Sequence, residues 1–194
     1  MKIDFDFFKI NSWLTPEKGR ILISEPFLPG NFFSRSTVLL VDYSTTGAVG
    51  FILNKPFERR INELFALTHG IIPEVFVGGP VSNDSLFYIH TLGDKLNGSI
   101  HIKDELFWGG DFSELKAIIA SGRAKTDQVK FFVGYSGWSP GQLENEIAEN
   151  SWLVADVDPK LVMKSNQNFW LDSVKKAGRH YEPWLNFPED PTTN

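Results

Sequence analysis

The run Phe131-Phe132-Val133-Gly134-Tyr135-Ser136-Gly137-Trp138-Ser139-Pro140-Gly141-Gln142-Leu143-Glu144 constrains this chain more than any other. An apolar stretch of strand character ends in two glycines and a tryptophan, and a helical pattern starts directly after it. Ser139 suits a helix cap, Pro140 the first helical position, and Gln142 is placed to reach back as in a capping box. A strand therefore passes into a helix through a glycine-relaxed turn that can present backbone N–H groups outward. The run fixes local architecture and leaves reaction and ligand open.

The rest of the chain repeats this scheme of short strands and glycine turns. Arg20–Ser24 has strand character and is closed by Pro26. Thr37–Tyr43 and Ala48–Leu53 are β-rich runs joined by Ser44-Thr45-Thr46-Gly47, the pattern of a hairpin. A short helix is expected over Ile61–Leu67 and a strand over Glu74–Val77. Leu86–Thr91 and Ser99–Lys103 flank a turn containing Gly and Asn and predict a second hairpin. Leu106–Trp108 adds a short strand.

Asp111 with Glu114 starts a helix that stops at Gly122, its apolar stripe being Leu115, Ile118 and Ile119. A helix over Pro140–Glu149 turns Leu143 and Ile147 inward. Trp152–Ala155 is a last strand, Asp158-Pro159 opens a helical turn, and Trp170, Val174 and Ala177 mark a final helix. The pattern predicts an α+β fold, mainly antiparallel, with a small β-barrel-like sheet and flanking helices. Residues 1–18 form an N-terminal arm, 19–180 one domain, and 181–194 a loosely held tail.

A chain of 194 residues fits one domain of this kind. It has no cysteine, which excludes disulfides, thiol nucleophiles and Cys-ligated metals. Net charge is −5 and pI about 5.4, so no broad attraction to phosphate backbones is expected. No apolar run approaches the roughly 20 residues of a bilayer span, and Asp4 and Asp6 interrupt the first apolar stretch. A cytoplasmic protein without a membrane partner is expected.

The constellations that could carry chemistry are each incomplete. Gly134-Tyr135-Ser136-Gly137-Trp138 resembles a nucleophile elbow, with Asp156 or Asp158 and then His180 following in the required order. The elbow needs glycine two residues after the serine, and Trp138 stands there. Ser136 is thus only a weak catalytic candidate. His90 and His101 could approach across the predicted hairpin, but the four histidines lack metal-site spacing. Gly78-Gly79-Pro80 and Gly109-Gly110 follow apolar runs without a phosphate-loop pattern, and Pro80 removes a donor an anion nest needs. Three glutamates on the 140–149 helix disfavour direct DNA reading.

Taken in order, six motifs resemble the bacterial AlgH/YqgE family, whose members are labelled transcriptional regulators. They are Gly19-Arg20-Ile21-Leu22-Ile23-Ser24 with Pro26, Phe33-Ser34-Arg35-Ser36, and Gly47-Ala48-Val49-Gly50-Phe51-Ile52-Leu53-Asn54-Lys55-Pro56. Val77-Gly78-Gly79-Pro80-Val81, the Gly134–Trp138 loop, and Gly141-Gln142-Leu143-Glu144 with Glu146 and Trp152 complete the set. The resemblance covers about Gly19 to Trp170. It implies an α+β fold with a small β-barrel and flanking helices, no agreed catalytic residue and no established cofactor.

The preferred expectation is a cytoplasmic regulatory or binding protein acting through a small-molecule or protein partner. The expected site is a crevice where Arg35, Asn54, Gly78, Gly79, Tyr135, Ser136, Trp138 and Gln142 converge. Arg35 would supply a cationic fork, Asn54 and Gln142 amide hydrogen bonds, and Tyr135 or Trp138 a stacking face. The alternative is a small-molecule hydrolase or transferase using the Ser136 loop. No metal and no cofactor are expected, and the chain should be a monomer or a weak homo-oligomer.

Overall fold

A computed structural model gives the fold for residues 14–28, 32–58 and 74–188. The expected helix over 61–67, the first 13 residues of the arm and residues 189–194 lie outside the described residues.

Among the described residues nine strands form one sheet, eight of them along a single path and the ninth beside it. β1 is Ile21–Ser24, β2 Thr37–Ser44, β3 Gly47–Ile52, β4 Val75–Val77 and β5 Val81–His90. β6 is Ile100–Lys103, β7 Leu106–Trp108, β8 Val129–Trp138 and β9 Trp152–Ala155. The order is β6-β7-β5-β8-β3-β2-β1-β9, with β4 parallel beside β8 and the remaining pairs antiparallel. The α-helices of the described residues are, in chain order, α1 Phe112–Ala120, α2 Gln142–Ala148, α3 Pro159–Met163 and α4 Phe169–Ala177.

β8 organises this sheet because it serves both halves. Its first residues pair with β4 on one side and β5 on the other, and its last three pair with β3. Phe132 faces the central core, and its ring stacks on Phe51 at 4.7 Å. Phe131 faces the opposite way into a smaller core under α1, with Leu115, Ile118 and Ile119. This strand is covered on both faces, so its sequence reads as an unbroken apolar run.

β2 has the same property. Leu39 and Val41 point into the central core, while Val38 and Leu40 point into a third cluster with Trp138, Leu143 and Trp152. Burial of this kind stabilises by roughly 1.5–3 kcal/mol per large apolar side chain.

The sheet is not closed into a barrel, which corrects that part of the expectation. No ladder joins β6 to β9. Both end strands have only four residues, and β6 carries a register shift between His101 and Lys103. Side chains link the ends instead. Lys18 Nζ donates to the His101 carbonyl at 3.0 Å, and Asp156 pairs with Arg20 at 3.3 Å and Lys103 at 3.5 Å.

Three further expectations shift. β5 does not pair with β6, because β7 lies between them and the hairpin is β6–β7. The helix after β8 starts at Gln142, two residues later than expected. Gly141 is left-handed at φ 75°, and Gln142 N–H donates to the Ser139 carbonyl at 3.0 Å. Pro140-Gly141 thus favours a reverse turn over the first turn of a helix. Finally, the segment expected to be a loose tail from residue 181 is packed. Arg179–Asn186 is a 3-10 helix whose Tyr181 and Trp184 are buried in the central core. Burying a tryptophan is worth on the order of 4 kcal/mol, enough to hold so short a segment.

Candidate functional site

The eight residues expected to share a crevice fall into separate groups whose polar atoms are largely engaged internally. Asn54 is buried and acts as a brace. Its side-chain oxygen accepts from Thr37 N–H at 2.9 Å, and its amide donates to the Arg35 carbonyl at 2.9 Å. This ties the start of β2 to the turn at Arg35, which sits at φ 48°. The Arg35 guanidinium donates from Nη2 to the Phe187 carbonyl and lies 5.2 Å from the Trp170 ring centre. Trp170 in turn donates to the Ser24 carbonyl at 3.0 Å. Arg35 therefore fastens the C-terminal segment onto the sheet.

Gly78 and Ser136 form a second group. Ser136 is fully buried on β8, and its hydroxyl donates to the Gly78 carbonyl at 3.0 Å. That carbonyl also accepts from Ile52 N–H at 3.0 Å, and Gly78 N–H donates to Val133 at 2.8 Å. Gly79 stands at φ 154°, with Tyr135 and Ser136 backbone atoms where a Cβ would lie. Chain crosses chain here, and the glycines serve that contact. Tyr135 packs edge-on to Phe87 at 5.4 Å.

Trp138 and Gln142 belong to a third group, centred on Glu146. The indole N–H groups of Trp138 and Trp152 both donate to one Glu146 oxygen, at 2.8 and 2.7 Å. Gln142 donates to the other oxygen at 2.9 Å and accepts from Ser139 N–H at 3.0 Å. The expected reach of Gln142 back to Ser139 is therefore present. A buried indole left without a partner costs roughly 1–3 kcal/mol, which explains why an acid stands at position 146.

Trp138 packs in the cluster on one face of the β1–β2–β3 region, whereas Trp170, beneath Arg35, belongs to the core on the other face. Arg35 and Trp138 do not open into one recess. His90 and His101 also do not face each other. Both flank Phe107, stacked at 5.9 Å and edge-on at 5.0 Å. Among the described residues there is no cluster of three or more His, Asp or Glu suited to a metal.

A cavity lined by described residues lies elsewhere. It measures about 430 Å3 and opens where β1 and β9 meet α3 and α4. Its walls are Ile21, Ile23, Leu153, Val157 and Phe169, with Leu161 at the mouth and 41% exposed. Lys164, Lys176, Asp156 and Asp172 stand around it. Arg20 and Lys103 engage Asp156. None of the eight expected residues lines this space.

Sequence periodicity placed Trp170, Val174 and Ala177 on the last helix but passed over its neighbouring stripe. Phe169 and Ser173, which it did not mark, recur at a spacing of four with Ala177 and face the cavity, and Ser173 and Ala177 are small. Small side chains opposite a sheet end leave room, and that was the available signal.

Lys130 is the other residue the sequence reading missed. It lies on β8, 5% exposed, with Nζ 3.8 Å from the Phe76 ring centre. It donates to the Ser165 carbonyl at 2.5 Å and the Ser165 hydroxyl at 2.7 Å. Burial pulls this amine down to about 7, against a smaller opposing effect of the Glu74 charge. The lysine clamps the end of α3 to the central strand.

This geometry defines a class: an α+β domain on a mainly antiparallel sheet whose glycine turns serve internal crossings and which carries an apolar cavity at a sheet end. The profile of the AlgH-like family (DUF179) matches residues 21–182, and the chain belongs to that family. A UPF0301 protein of Bacteroides thetaiotaomicron is 42% identical and spans 100% of both chains. A UPF0301 protein of Parabacteroides distasonis is 41% identical over 97% of this chain and 98% of its own.

Two solved structures are similar in fold. The crystal structure of DIP2367 from Corynebacterium diphtheriae has a TM-score of 0.75 at 20% identity, covering 96% of this chain and 100% of that one. The solution structure of AlgH from Pseudomonas aeruginosa has a TM-score of 0.70 at 23% identity, covering 91% and 98%.

Proposed function

We propose that this chain is a cytoplasmic binding protein whose site is the cavity between β1, β9, α3 and α4, and that it holds a small, largely apolar molecule. One observation carries the reading. A space of about 430 Å3 has apolar walls and only a few charged groups around it, which is the size and chemistry of ordinary small-molecule sites. Catalysis at Ser136 is the weaker reading, because that hydroxyl is buried and gives its proton to a carbonyl rather than to a base. Regulation would then pass through ligand occupancy rather than direct DNA contact, in keeping with the net charge of −5.

Nile red, a neutral dye that brightens in apolar surroundings, tests this. Saturable binding to the native chain is expected. Ala177→Trp, which puts a large ring at the cavity wall, should weaken it at least tenfold, or about 1.4 kcal/mol, without lowering Tm. Equal binding by both proteins would contradict the assignment, as would the absence of saturable binding by the native chain.

A further inference from the structure

We infer that the ligand of this cavity is an amphiphile with a single negative charge, an apolar chain ending in a carboxylate, whose head is held by Lys164 and Lys176 while its chain fills the space behind them. This inference rests on the cavity being the binding site.

The lining divides into two zones. Ile21, Ile23, Leu153, Val157 and Phe169 are all buried. Ser173 is buried among them, and its hydroxyl donates to the Phe169 carbonyl at 2.6 Å, so that proton is already spent. The charged lining residues, Asp156, Lys164, Asp172 and Lys176, are exposed. Lysine stems run along apolar surface and keep the ammonium in water. Both lysines therefore give methylenes to the wall and charge to the rim. A ligand polar throughout would set unpartnered groups against the apolar walls, and one apolar throughout would strip water from the rim charges. A molecule with one apolar end and one charged end avoids both costs.

The sign of the head follows from which rim charges are already engaged. Asp156 pairs with Arg20 at 3.3 Å and with Lys103 at 3.5 Å. Among the described residues Lys164, Lys176 and Asp172 have no ion pair. Two unengaged lysines against one unengaged acid leave a single positive charge at the mouth. A carboxylate matches it, and an ammonium does not.

The donors come from two elements. Lys164 follows the last turn of α3, and Lys176 lies in the last turn of α4. Asn166, between the helices, also lines the space. Its side-chain oxygen accepts from Asn168 N–H at 2.9 Å, and its amide nitrogen has no acceptor among the described residues. A few polar groups at the edge of an apolar space are what fixes the orientation of a small ligand.

Calorimetric titration of the full-length chain with octanoate, 1-octanol and octylammonium tests the head, because the three share one chain length and differ in charge. Octanoate should bind at least tenfold more tightly than either of the others. Lys164→Gln/Lys176→Gln, at two exposed positions, should lower the octanoate-to-octanol affinity ratio at least tenfold. Lys175→Gln removes the adjacent charge, which does not line the cavity, and should keep the wild-type ratio. Ala177→Trp should weaken octanoate and octanol alike.

Octanoate bound no more tightly than octanol or octylammonium overturns the head assignment and leaves the cavity reading intact. An unchanged ratio in the double lysine variant does the same. Octanoate binding that Ala177→Trp leaves unaltered also overturns the inference, by placing the anion elsewhere on the protein. Failure of all three compounds and of Nile red to bind overturns the cavity reading itself.

Discussion

Gly79→Ala is expected to leave little folded protein, whereas Gly141→Ala is expected to be well tolerated. Both glycines have positive φ, at 154° and 75°, so the torsional penalty alone predicts similar costs of roughly 1–2 kcal/mol. They differ in space. A Cβ at 79 would lie 2.3 Å from the Tyr135 carbonyl carbon and 2.4 Å from both Ser136 N and Tyr135 O. These are backbone atoms of the central strand, so no side-chain rotation relieves the overlap. At 141 nothing lies within 4 Å.

The loss at 79 should exceed the roughly 4–5 kcal/mol that marks an exceptional single substitution. In a domain of this size that lowers Tm by at least about 10 °C. Circular dichroism melts of the two variants decide the matter. Similar modest shifts would mean that the Gly78-Gly79 turn is not pressed against β8, and would reopen its reading as a cradle for a ligand.

The second large effect is a pH dependence removed by Lys130→Met. The amine titrates near 7 in the folded protein, against an ordinary value of 10.5. Between these values the unfolded chain binds a proton that the folded chain refuses, so stability rises with pH across that window. Equivalently, stability is lost as pH falls from about 10.5 to 7, and the loss is complete below 7. The full span is on the order of 5 kcal/mol.

Methionine keeps most of the volume and removes the titration, giving up the hydrogen bonds to Ser165 at every pH. Denaturant unfolding at pH 7 and pH 9.5 should therefore show the variant gaining about 3 kcal/mol on wild type at the lower pH relative to the higher. Parallel behaviour of the two proteins would show that the Phe76 face and the Ser165 oxygens hold the ammonium charged despite burial.

The legible part of this fold was what local pattern dictates. β1, β2, β3, β9, α1 and α4 lie within a residue or two of where apolar runs and caps placed them. Asp111 caps α1 by accepting from Ser113 and Glu114 N–H, as the spacing of acids suggested. Pairing partners were less legible. Sequence adjacency favoured β5 beside β6, and only the three-dimensional path shows β7 between them.

Trp184 misled because proline and acidic neighbours made its segment look solvated, and burial of one large ring outweighs that composition. Pro140-Gly141 misled because both residues fit a helix start and a reverse turn, and the left-handed Gly141 settles which forms.

The candidate site was least legible. Arg35, Asn54, Ser136, Trp138 and Gln142 stand out in sequence because buried polar groups and glycine crossings require particular residues, and the same requirement arises in a site and in a packed core. The cavity left almost no sequence mark. It arises from Ser173 and Ala177, small residues of α4, facing Leu153 and Val157 across the sheet end.

The central claim, that binding occurs in this cavity and not at the glycine turns, is tested most directly by mapping backbone amide chemical shifts as Nile red is added to the labelled protein. Shifts are expected to concentrate at Ile21, Leu153, Val157, Leu161, Phe169 and Ser173, with Gly78, Gly79, Ser136 and Gln142 unmoved. Perturbation centred on the Gly78-Gly79 turn and the Ser136–Gln142 segment would contradict the account.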